Sequence, residues 1–281
     1  MTATAPPART SRRPARPGRF RPLGWDLARS EWIKLRTVRS AYWTLVLTAV
    51  GMAGFGALLS AAYVRHYGSV SAAARRAFDP AAYSLSGFFL AQLAIGVLGV
   101  VVITSEYTTG SIRSTFAAAP QRASVLAAKG AVFGAVAATT GIASSFAAFF
   151  TGQALLASKG IGTTIGGPGA LRPVLGAGLY LAVLGLFALG LGALIRRTAG
   201  AIAAVVGLVI ILPVLAQGLP ASWQGAITRY LPSVAGQAII GRTKFAPPGR
   251  LLPPAAGFAL FCAYTAAVLT AAALTLTRRD A

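Results

Sequence analysis

Acidic residues are scarce in this chain of 281, and two of the five stand where they could act on something: Glu31 and Glu106. Glu106 is the only acid between Asp79 and Asp280. It opens the polar segment SEYTTGSIRSTFAAAPQRASVLAAK, residues 105–129. Gly110 can end or bend a helix there. Ser111 can cap a new helix running to Ala119, where Pro120 stops it. A short helix bounded in this way presents Arg113, Ile112 and Phe116 to a partner surface, which is docking chemistry and not catalysis. Glu31 has Lys34 one turn on as an ion-pair partner. The remaining reactive residue types are isolated. His66 is the only histidine and has no companions for a metal site, and Cys262 is the only cysteine, so no disulfide can form within the chain. Cys262 reads as a small apolar packing residue. No GxxxxGK[ST] pattern occurs, so the chain supplies no P-loop of its own.

The elements that must position these residues are apolar. Six stretches carry no charge at all: 40–64, 80–105, 130–158, 173–195, 198–228 and 251–277, each at least 23 residues long. A helix needs about 20 apolar residues to cross a hydrocarbon core of ~30 Å. The next longest charge-free runs, 160–171 and 230–241, have 12 residues each and fall short. Composition agrees: 56% of residues are hydrophobic and 11% charged, with a mean hydropathy of +0.68. A soluble domain carries about 25% charged residues. The expected fold class is therefore an all-α polytopic membrane protein with six transmembrane helices.

The formal net charge of +21 does not imply nucleic acid, because the basic residues form no single patch with interleaved aromatics. They fall between the apolar stretches, where they set topology. With the N-terminus inside, 17 Lys and Arg lie on the inner side and 9 on the outer. Both termini are thus expected in the cytoplasm. Residues 1–24 are Arg- and Pro-rich, lack the apolar core of a signal peptide, and read as a disordered basic tail.

Residues 25–39 have an amphipathic pattern. Trp25, Ala28, Trp32 and Leu35 share one face, with Arg29, Lys34 and Arg36 mostly opposite. Two Trp and a basic face suit a helix lying in the membrane interface. Glu31 breaks the pattern by projecting to the apolar side, which a helix packed on protein tolerates better than one floating on lipid. Residues 40–281 form the six-span domain. Pro213 is expected to kink the fifth span. Residues 219–254 form the longest outer segment, in which Tyr230 to Gly241 suits a surface or re-entrant helix. Gln92, Thr139, Ser144 and Gln217 are the polar candidates for a substrate pathway. Interhelical hydrogen bonding is the competing reading of the same residues. Gly130 and Gly134 mark either a subunit interface or close packing within one subunit.

The order of these parts resembles a known family. An amphipathic SEWIKLRTVRS precedes a first span, and a second span leads into SEYTTGSIRSTFAAAPQR. This is similar to the membrane-spanning permease subunit of type-two ATP-binding-cassette (ABC) exporters, in the form common among actinobacteria. The similarity runs from Trp25 to Arg279 and implies the plasma membrane of a bacterium as the location. It implies an N-terminal helix lying flat at the inner surface, carrying Trp25, Glu31, Trp32, Lys34 and Arg36. It also implies a coupling element, with Glu106, Tyr107, Gly110, Ser111, Arg113 and Phe116, that docks on a separate ATPase subunit. ATP and Mg would then bind to that partner, no cofactor to this chain, and a second permease subunit would complete the pathway as a homodimer or heterodimer. An ATP-independent membrane scaffold or immunity protein is the alternative. A secondary transporter fits less well, since the charge-free spans hold no Asp, Glu, His or Lys.

Overall fold

The computed structural model describes residues 24–112, 121–241 and 251–278, and every element in them is helical. Helix α1 (Gly24–Thr37) ends at Val38, whose extended backbone (φ −83°, ψ 105°) redirects the chain into α2 (Arg39–Arg65). Helix α3 (Pro80–Thr108) begins where Asp79 accepts a hydrogen bond from the Ala82 N–H, 3.1 Å, with Pro80 in the first turn. Helix α4 (Arg122–Ala157) has 36 residues. At ~1.5 Å per residue that exceeds what a span requires. Then follow α5 (Leu171–Ile195), α6 (Thr198–Ala216), the short α7 (Pro232–Gln237) and α8 (Pro254–Arg278). Six helices, α2 to α6 and α8, are long and apolar enough to cross a membrane.

Helix α5 forms the centre of the bundle. Its span is 67% buried, against 22% for α2 and for α8, and it packs on α3, α4 and α8. Apolar burial cannot drive helices together when the solvent is itself hydrocarbon, so close approach of backbones must supply the contact. Glycines permit it. Gly99 of α3 lies against Gly185 of α5, and a Cβ on Gly141 of α4 would come 2.7 Å from the Gly178 carbonyl oxygen. Gly130 and Gly134 both face Leu186 of α5, so this glycine pair packs within the chain. The exposed apolar residues, among them Leu47, Val50 and Leu58 of α2, point away from the bundle.

The fifth span is shorter than its charge-free run. It stops at Ala216, not at Thr228, and residues Ala221–Ile227 form a separate helix beyond Pro220. Apolar composition alone does not prevent Gly218 and Pro220 from breaking a helix. Near Pro213, residues Gly207–Ile211 adopt π geometry, with the Leu212 N–H bonded to the Gly207 carbonyl. A proline offers no N–H to the preceding turn, and a π bulge is one way for the chain to accommodate that. The 230–241 segment is helical from Pro232 to Ile240 and turns at Gly241 (φ 81°). Its residues from Ser233 to Ala238 are buried against α5 and α8, while Tyr230 and Gly241 at its two ends are exposed.

Candidate functional site

Four charged side chains meet at the end of the bundle where α1 lies. Glu31 and Lys34 come from α1, Glu106 from the last turns of α3, and Lys129 from the third turn of α4. The helices reach further than the charge-free runs, to Thr108 and back to Arg122. Both charges therefore ride on rigid helices that flank the 109–121 segment. Glu31 is 3% exposed, Lys129 3% and Glu106 7%. Lys34 Nζ donates to Glu31 Oε1 at 2.7 Å and to Glu106 Oε1 at 2.9 Å. Lys129 Nζ donates to Glu106 Oε1 at 2.9 Å and to Glu31 Oε2. The charges alternate and sum to zero, which is the condition under which buried ions can be retained.

Lys34 is the most accessible of the four. Partial burial works against its ammonium, but hydrogen bonds to Glu31 and Glu106, with their charges, outweigh that effect and hold it above the ordinary lysine value of 10.5. Glu106 Oε2 is buried and, among the described residues, has no hydrogen-bond partner.

The outward residues of the same region divide clearly. Tyr107 packs under Arg196, whose guanidinium carbon lies 5.5 Å from the ring centroid. Arg196 itself has φ 60° in the tight turn between α5 and α6. Gly110 has φ +71° with open space around it, so it needs the left-handed region and not the room. Ser111 is exposed and shares a hydrogen bond with Thr109, 3.0 Å, while Ile112 is buried. Arg113 and Phe116 lie outside the described residues. Arg122 donates to the Leu276 carbonyl at 3.0 Å, tying the start of α4 to the end of α8.

Helix α1 turns a face inward that differs from the Trp stripe. Leu27, Ala28, Glu31, Lys34 and Leu35 are the buried and half-buried positions, whereas Trp25 (79% exposed), Trp32 (50%) and Arg36 face outward. Lys129 was not among the residues that sequence singled out. It appears there as the last residue of a loop, although it lies four positions along α4 from Val125, itself buried. Helical spacing back from the span was the signal that could have found it.

The four pathway candidates are not brought together. Among the described residues no hydrogen bond joins any two of them. Gln92 is buried and accepts from the Tyr180 hydroxyl at 2.8 Å, and that oxygen accepts from Gln237 Nε2 at 3.3 Å. This places a polar chain across α3, α5 and α7. Ser144 is buried and donates to the Thr140 carbonyl, and Thr139 bonds back to its own helix on an exposed face. Gln217 is exposed at the end of α6. Among the described residues no group of His, Cys, Asp and Glu could hold a metal ion. No family model matches the chain, and no curated protein does either.

Proposed function

We propose that the chain is the permease subunit of an ABC transporter, driven by a separate ATPase that docks on the 109–121 segment. The observation that carries this reading is the ion cluster. It joins α1 to both helices flanking that segment, so a push delivered there moves three elements as one body. The end of the bundle that holds the cluster is then the cytoplasmic one, with α1 in the interface and its Trp25 and Trp32 in the headgroup region. Two such subunits form the pathway at their shared boundary. ATP binding closes the two ATPase subunits, and the 109–121 segments transmit the movement so that the boundary opens on the opposite side. Only a difference in contact between the two ATPase states can drive such a change. A hydrophobic or amphipathic cargo suits spans whose polar side chains are few.

The test is purification of the tagged full chain in mild detergent. An ATPase bearing a P-loop is expected to copurify, and Gly110→Pro should release it while leaving membrane insertion intact. A folded chain that never brings down an ATPase, from cells expressing its neighbours, defeats the proposal.

A further inference from the structure

At the end of the bundle opposite the ion cluster, α4 and the 159–170 loop enclose an open-sided cavity of about 590 Å³. This lies within the range of roughly 300–1,000 Å³ found for small-molecule sites. Gln153 builds the wall. Its Nε2 donates to the Pro80 carbonyl and to Ser84 Oγ, both at 2.9 Å, and its Oε1 accepts from the Thr163 N–H at 2.7 Å. Those bonds pin the loop over α4 and spend both N–H groups of the amide inside the protein. What is left to line the cavity is mostly apolar: Phe149, Phe150, Ala154, Ala157 and Ile165, with Thr163 and Thr164 as its polar members. Phe150 is 54% exposed, on a helix apolar enough to cross a membrane. Lys159 lies along the chain between Ala157 and Gly160, two residues that line the cavity. It is exposed, and among the described residues its ammonium has no ion pair or hydrogen bond. An apolar slot on a helix apolar enough to cross a membrane, with an exposed cation next to its lining residues in the chain, complements a molecule with a hydrocarbon tail and a negative head.

We infer that this cavity holds an acyl chain of an anionic phospholipid, with the lipid phosphate paired to Lys159. The inference rests on the chain being embedded in a bilayer and is independent of any ATPase, so it stands or falls separately from the transport reading. Native mass spectrometry of the purified full chain, exchanged into micelles with equal phosphatidylglycerol and phosphatidylcholine, provides the test. Wild type is expected to retain phosphatidylglycerol preferentially, and the same lipid should raise its unfolding temperature. Ala154→Trp and Ala157→Phe, both at exposed positions of α4, fill the slot and should lower retention roughly fivefold or more, a loss of about 1 kcal/mol. Either variant suffices if the other folds poorly, as judged by its elution profile. Lys159→Gln should keep the lipid but lose the preference between headgroups. Equal retention of the two lipids by wild type overturns the inference, and so does undiminished retention by a folded, filled variant.

Discussion

Lys129 is the residue on which the ion cluster depends most. Among the described residues it is the only buried cation facing both carboxylates. Replacing it with Met leaves Glu31 and Glu106 buried with one half-exposed lysine between them. Removing one partner of a buried ion pair typically costs about 3–5 kcal/mol. Lys129→Met should therefore lower the unfolding temperature in detergent sharply, and adding Glu106→Gln should recover most of the loss by restoring neutrality. If the single and double variants unfold alike, the cluster is not an electrostatic unit. Lys34 contributes differently with pH. Its value in the folded protein is raised above 10.5, so its contribution is full below that value and is lost as pH rises through the folded value. The stability gap between wild type and Lys34→Met should hold steady from neutral pH to the ordinary lysine value and close above it. A gap that instead closes on acidification would show that another group sets the pH dependence.

At the scale of elements, small residues decide which helices touch. A Cβ on Gly87 would clash with the Met52 backbone, joining α2 to the 3-10 turn inside α3, whereas Gly54, on the same helix as Met52, has open space around it. Gly87→Ala is expected to reduce the yield of folded protein severely, and Gly54→Ala to leave it unchanged, as read by elution profile and thermal unfolding. Comparable behaviour of the two would mean that backbone approach does not hold these helices. The π segment of α6 and the buried α7 helix follow from their prolines, at positions 213 and 232. The first was expected from sequence as a kink. The depth of the second was not, because a run of 12 apolar residues is equally compatible with a surface and with a protein interior.

For the whole molecule, the distribution of basic charge is the basis on which we propose that both termini are cytoplasmic. In a Cys262→Ala background, Ser69→Cys should react with a membrane-impermeant maleimide in intact cells, and Ser111→Cys only after the membrane is opened. Both positions are exposed and lie in the connections at opposite ends of the bundle. The reverse pattern would place the 109–121 segment outside, beyond the reach of a cytosolic ATPase.

Sequence by itself determined the number of spans and most of their limits, because transfer of an uncharged 20-residue stretch into hydrocarbon is a local property that each stretch carries alone. It also marked Glu31 as misplaced on its helix, since a carboxylate on an apolar face signals a partner without naming it. Tertiary structure supplied the partner. Lys129 lies 98 residues from Glu31, and no periodicity connects them. Only the packing of α1 on α4, beside the end of α3, brings four charges close enough to neutralise one another. The Gln92–Tyr180–Gln237 chain was hidden for the same reason. A buried polar group declares its need in the sequence, but the group that satisfies it is chosen by the fold.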